Sequence, residues 1–311
     1  MKKLVKISLV SVSTLAGLVA LALATTTIVN AVATNSEEAE LQRYGQTVRV
    51  DGKDMNVVIS GNAATTIVLL PGLGTASPGL DFAPLVAELD DRFRVVVVEP
   101  FGYGLSDQTD DPRTSAAIVD EVHAALQSLG IDRYVLAGHS IAGIYALEYV
   151  DRFRAEVTAF VGIDTSVPDQ PGSDDATSVE GMDALKQLGL LRLLTSLSPG
   201  MYDDLPGYGE AAKRQLAILG NRNAMTPTLM DEITRAPENF AAARRLGFPT
   251  DLPLLLFAVQ NDPEVDGWVR LHQEQVGAVD NGTFVPLDGD HYLHHTRSAE
   301  IADAIVAFVG R

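Results

Sequence analysis

Gly138-His139-Ser140-Ile141-Ala142-Gly143 follows an apolar run, Tyr134 to Ala137, and precedes a helix-like stretch, Ala142 to Val150. A serine held between small residues where a strand turns into a helix has the composition of a nucleophile elbow. The turn is tight. The serine takes a strained backbone conformation, and large side chains two residues to either side would collide. Gly138 and Ala142 fill those crowded places. The strain lifts the hydroxyl clear of the sheet, beside a helix start whose free N–H groups favour negative charge. Ala142 stands where glycine is usual, but alanine is the next smallest residue and Gly143 follows it. A chance Gly-His-Ser in a loop would lack the strand before and the helix after.

Outward from this turn the pattern is that of a parallel sheet. Thr47–Val50, Asp51-Gly52 and Met55–Ser60 read as a hairpin with a two-residue turn. Thr65–Leu70, Phe93–Val98, Tyr134–Gly138 and Val157–Ile163 are short continuous apolar strands. Helical segments separate them: Phe82–Leu89, and the amphipathic Thr114–Leu129 with Ile118, Val122, Ala125 and Leu126 on one side. Strands of this kind alternating with helices imply an α/β fold, a mostly parallel sheet flanked by helices. The alternation stops after Asp164. Residues 165–250 contain no convincing strand and read as an inserted helical cap, with helices over Met182–Leu197, Glu210–Leu219 and Thr228–Leu246. The sheet pattern resumes at Leu254–Val259. A helix over Val265–Val276, a strand over Thr283–Pro286 and an amphipathic helix over Ser298–Val309 follow. The core is thus expected over 45–164 and 251–311.

The 311 residues suit one large domain with an insertion. There are no cysteines, which excludes disulfides, thiol nucleophiles and thiolate metal sites. A net charge of −18 argues against nucleic acid and anionic headgroups as partners. Residues 1–33 read as a signal peptide or N-terminal membrane anchor, not as part of the fold. Lys2, Lys3 and Lys6 form a basic start, and residues 7–33 carry no charge. Ala31-Val32-Ala33 is a small-x-small cleavage signal, yet the uncharged run is long enough to span a bilayer. Cleavage after Ala33 is the favoured expectation and membrane attachment through residues 7–33 the alternative. Both place the remainder outside the cytoplasmic membrane. Loss of the three lysines would take the net charge to −21.

A serine hydroxyl needs a base, and the base needs an orienting acid. His139 should point away from the serine at so sharp a turn. His123 and His272 lie in helices and read as surface or core residues. His291 follows Leu287-Asp288-Gly289-Asp290, a loop after the last strand, where such folds gather their chemistry. It is the expected base. Asp262, shortly after Leu254–Val259, is the expected acid, giving the order Ser140, Asp262, His291. Asp164 is the second choice, against a plain role capping the entry to the insertion. Glu264 and Asp266 lie further along the same loop. The oxyanion needs donors already aimed at it. The N–H of Ile141 is one. The N–H of Leu73, in Pro71-Gly72-Leu73-Gly74, is the other. His291, His294 and His295 beside Asp288 and Asp290 have ligand-like spacing for zinc, but a metal there would leave the elbow unexplained. His294 and His295 are expected at the pocket rim or at the start of the last helix.

Several motifs in order give the chain its resemblance. Glu99-Pro100-Phe101-Gly102-Tyr103-Gly104-Leu105-Ser106-Asp107 looks like the D-x-P-G-x-G-x-S segment of the α/β-hydrolase superfamily, with Glu99 for the aspartate and Phe101 for the proline. Gly289-Asp290-His291 is similar to its late histidine, and Asp262 stands at its usual acid position. Pro71-Gly72 replaces the His-Gly of many members. Over residues 45 to 311 the chain resembles the branch of that superfamily with a helical cap between the sixth and seventh core strands. The resemblance implies hydrolysis through an acyl-enzyme, without metal or organic cofactor. Serine at the elbow argues against the dehalogenase and epoxide hydrolase branches, which use aspartate. An ester with an apolar part is the expected small-molecule substrate, because Met182, Leu185, Leu188, Leu191, Leu194 and Leu197 recur at helical spacing in the cap. Amidase or aminopeptidase activity, cofactor-free perhydrolysis or haloperoxidase-like chemistry, and a non-catalytic binding protein are the alternatives.

Overall fold

A computed structural model describes residues 2–263 and 265–310. The chain forms two compact units. The larger, Arg43–Val179 with Asp204–Arg311, carries the sheet. Its strands are β1 (Gln46–Val50), β2 (Lys53–Ser60), β3 (Thr66–Leu70), β4 (Arg94–Glu99), β5 (Tyr134–His139), β6 (Val157–Ile163), β7 (Leu254–Val259) and β8 (Gly282–Leu287). They lie in the order β1-β2-β4-β3-β5-β6-β7-β8. β1, β2 and β4 pair antiparallel, and the rest are parallel. The hairpin turns where expected. Val50 pairs with Lys53, and Asp51 and Gly52 both have positive φ, which a two-residue turn matching the strand twist requires.

Both faces of the sheet are covered, so its strands are apolar without alternation. Val68, Leu70, Val96 and Val98 face one core cluster. It is closed by Ile118 and Val122 of one helix, Ser115–Ser128, and Ile144 of another, Ala142–Phe153. Ile67, Leu69, Val95 and Val97 point the other way, onto Leu85 of helix Ala83–Leu89 and Ile305 of helix Ser298–Val309. Neighbouring residues along one strand thus serve opposite layers. The Thr114 hydroxyl caps Ser115–Ser128 by accepting from Ala117 N–H.

The region expected as one cap divides. Helices Glu210–Asn223 and Pro227–Ala243 belong to the sheet unit. They are tied to core loops. Asn223 Nδ2 donates to the carbonyls of Ala76 and Gly104, Thr228 Oγ1 both accepts from Thr109 N–H and donates to its carbonyl, and Asn239 Oδ1 accepts from Ser115 N–H. Helices Met182–Gln187 and Leu190–Ser196 belong instead to the smaller unit, Met1–Gln42 with Glu180–Asp203. Neither buries a residue fully. The leucine series expected to line an apolar inner face leaves Leu194 60% and Leu197 74% exposed. The smaller unit's other element is a single helix, Lys2–Glu40, whose segment Ser13–Glu40 is long and apolar enough to cross a membrane.

Candidate active site

The Ser140 site is built at the carboxyl ends of β5, β6 and β8. Ser140 follows β5 and has φ +55°, a left-handed conformation that costs a non-glycine residue about 1–3 kcal/mol. The surrounding structure holds it there. Its N–H donates to Ile163 O at 3.4 Å, and its carbonyl accepts from Ser166 N–H at 2.8 Å and Gly143 N–H at 3.0 Å. The crowding read from the sequence is present. A Cβ on Gly138 would lie 2.6 Å from the Cβ of Ala142. Ser140 itself is half-buried.

The carboxylate that meets His291 is Asp164, not Asp262. His291 Nδ1 lies 2.7 Å from Asp164 Oδ2. The other oxygen, Oδ1, accepts from Val259 N–H at 2.9 Å and Trp268 Nε1–H at 2.6 Å. Asp164 is fully buried, and these donors occupy both its oxygens. Its φ of +47° makes it a second strained residue. Asp262 lies three residues past the end of β7, and its Oδ1 accepts from Val265 N–H at 2.6 Å, bracing its own loop. The register explains the exchange. β6 lies directly beside β5, pairing His139 with Ile163, so the first residue beyond β6 arrives next to the elbow. Asp266 is exposed, and Glu264 lies outside the described residues.

The other histidines pack around this centre. His139 is buried, its Nε2–H donates to His291 O at 2.9 Å, and its ring lies 4.6 Å from that of His291. Burial, with His294 and His291 as neighbours, holds its pKa well below the ordinary value, so the ring is neutral. His294 and His295 are not at a rim. Both are buried and turned inward, each Nε2 sitting 2.7 Å from an oxygen of Asp81. Burial works to raise the Asp81 pKa, but the two imidazoles outweigh it and hold the carboxyl low. The ligand atoms of Asp81, His294 and His295 lie within 4.8 Å of one another, close enough for a metal. The His291, Asp288 and Asp290 grouping does not form, because His291 faces Asp164 and Asp290 Oδ1 accepts from Tyr292 N–H. His272 is a core residue between the carbonyls of Trp268 and Thr165, and His123 stacks on Phe153.

The loop after β3 approaches the elbow closely. A Cβ on Gly72 would lie 3.0 Å from that of Ser140 and 2.7 Å from His139 Nδ1. Among the described residues, neither Leu73 N–H nor Ile141 N–H donates a hydrogen bond within the protein. Gly74 N–H is taken by Tyr103 Oη at 3.3 Å. Tyr103 donates in turn to Glu232 Oε1 at 2.8 Å, and Tyr145 donates to the same oxygen at 2.7 Å. Sequence reasoning missed this relay, since Glu232 comes from the insertion, 129 residues from Tyr103. Burial raises the pKa of Glu232, against the Arg113 guanidinium and the two tyrosine hydroxyls. Arg113 is itself buried and pairs through both terminal guanidinium nitrogens with Glu121. Glu99, the departure from the family aspartate, is a buried hub. It accepts from Gly79 and Leu105 N–H, Tyr44 Oη–H and Asn56 Nδ2–H, fixing the loop that carries Tyr103.

The alpha/beta hydrolase family model matches residues 67–304. The chain belongs to the alpha/beta hydrolase family and is a hydrolase by that membership. It is 28% identical over 275 residues to the uncharacterized protein YbdG of Bacillus subtilis strain 168, covering 84% of this chain and 83% of that protein. Its fold is similar to that of an enol-lactonase from Burkholderia xenovorans LB400, with TM-score 0.65, 21% identity, 86% of this chain and 100% of that one. It is also similar to a membrane phospholipase A described as a bacterial virulence factor, with TM-score 0.58, 19% identity, 100% of this chain and 98% of that one.

Proposed function

We propose that the protein is a serine hydrolase that cleaves carboxylic esters outside the cytoplasmic membrane, with Ser140 as nucleophile, His291 as base and Asp164 as the acid that orients it. The observation that carries this reading is the buried carboxylate of Asp164, 2.7 Å from His291 Nδ1, beside a serine held at φ +55°. An ionised Asp164 keeps the imidazole proton on Nδ1 and leaves Nε2 to take a proton. Ser140 Oγ attacks the ester carbonyl as His291 Nε2 accepts its proton. The oxyanion is held by Leu73 N–H and Ile141 N–H, which have no partner inside the described protein. His291 then gives the proton to the leaving alkoxide, the C–O bond breaks, and an acyl-enzyme remains. Water, deprotonated by the same nitrogen, releases the acid and restores the serine.

The names of similar proteins, an enol-lactonase and a phospholipase A, both describe cleavage of acyl–oxygen bonds. A fluorophosphonate probe on the purified protein tests the assignment. Wild type should be labelled and Ser140→Ala should not. Equal labelling of both, or none of wild type, would refute it.

A further inference from the structure

Large apolar side chains stand out in solvent at only two places among the described residues. One is the N-terminal helix: Leu15, Leu18, Val19, Leu21, Ile28, Val29 and Val32. The other is Leu193, Leu194, Leu197 and Met201, more than 160 residues later. Both belong to the smaller unit, and polar side chains join them. Arg192 pairs through both terminal nitrogens with Glu37, at 2.6 and 2.8 Å, and its Nε–H donates to Asn30 Oδ1 at 2.8 Å. Asn30 Nδ2 donates to Lys186 O at 3.2 Å. Gly189, at φ +72°, lets the backbones touch, since a Cβ there would lie 2.5 Å from Thr26 O.

We infer that the N-terminal helix is a retained membrane anchor that holds residues 190–201 in the outer face of the same bilayer, with Leu193, Leu194, Leu197 and Met201 among the acyl chains. Thr26 and Asn30 precede the cleavage signal at Ala31–Ala33, and Glu37 follows it, so the latch straddles the cut. The helix also runs unbroken to Glu40, whereas proteolysis favours exposed, flexible segments. Residues 7–33 rise about 40 Å as a helix, enough to cross a hydrocarbon core of about 30 Å. Lys2, Lys3 and Lys6 mark the cytoplasmic end. The latch then falls at the outer interface. A short helix with exposed leucines beside Thr195, Ser196 and Ser198 is suited to the headgroup boundary, where an apolar face sinks about 5–10 Å. Asn30, polar within the apolar run, has its amide satisfied by the latch. This placement does not depend on the proposed chemistry.

The cysteine-free chain permits a direct test. Full-length protein carrying Leu197→Cys, with an environment-sensitive fluorophore, is reconstituted in phosphatidylcholine–phosphatidylglycerol vesicles. The label should shift to the blue and lose most of its emission to a quencher on the lipid chains. The same label at Glu274→Cys should do neither. Arg192→Glu should abolish quenching at position 197 while the protein still floats with the vesicles, and adding Glu37→Arg should restore it. The intact mass from membranes should include residues 1–33. A mass beginning at Thr34, an unquenched label at 197, or a label that instead cross-links to position 197 of a second copy would each overturn the inference.

Discussion

The imidazole of His291 meets a carboxylate 127 residues away in the chain, that of Asp164, which is fully buried and holds three donors on its two oxygens. One donor is the indole of Trp268, from the helix Trp268–Gly277 that follows β7. The carboxylate that faces His291 therefore comes from the end of β6 and is braced by β7 and the element after it. The last residue of β7 contributes Val259 N–H and the helix after it contributes the Trp268 indole, whereas Asp262 of the intervening loop faces its own backbone.

Asp164→Asn should lower kcat by about four orders of magnitude, because an amide in that place no longer stabilises the working tautomer and its protonated form. Asp262→Asn should change kcat little. Steady-state kinetics on a soluble p-nitrophenyl ester compares them. A large loss in Asp262→Asn with a small one in Asp164→Asn would reverse the assignment.

Trp268→Phe keeps most of the packing and removes one donor to Asp164 Oδ1. A hydrogen bond to a charged group contributes about 1.5–3 kcal/mol. Urea unfolding should show a loss in that range, and kcat should fall less than in Asp164→Asn.

Gly138→Val should abolish fluorophosphonate labelling. A Cβ at 138 already falls 2.6 Å from that of Ala142, and two further methyl groups cannot fit without moving Ser140. Overpacking of this kind costs about 1–3 kcal/mol, measurable as a lower urea midpoint.

His139 supplies a pH dependence. Its folded pKa lies well below the ordinary value, chiefly through burial. Its stabilising contribution is complete above the unfolded pKa and is lost as pH falls toward the folded one. Below about pH 6.5 this group should cost about 1.4 kcal/mol per pH unit. His139→Gln should flatten that limb in urea titrations between pH 7 and 5.

Glu232 has the opposite sign. Burial raises its folded pKa, so its contribution is complete below the unfolded pKa and lost as pH rises through the folded one. Glu232→Gln retains an oxygen for Tyr103 and Tyr145 and removes the buried charge. At neutral pH it should be at least as stable as wild type, by up to about 1–2 kcal/mol. Glu232→Ala should be less stable, since it leaves both tyrosine hydroxyls without that acceptor.

Local chemistry determined most of what the sequence by itself could reveal. The elbow was legible because tight turns admit only small neighbours, and Gly138 and Ala142 are four residues apart in the same segment. The strands were legible because burial on both faces makes them continuously apolar, and the hairpin because Asp51-Gly52 suits its turn. Tertiary structure alone decided which carboxylate meets His291, since Asp164 and Asp262 both follow strands and only the β5–β6 pairing sets one beside the elbow. It also decided that the segment bearing the 182–197 leucines is tied to the N-terminal helix through Arg192, Asn30 and Glu37, leaving Leu194 and Leu197 exposed. Such pairings join residues distant in the chain, and neither periodicity nor spacing within one segment encodes which distant group a side chain will meet.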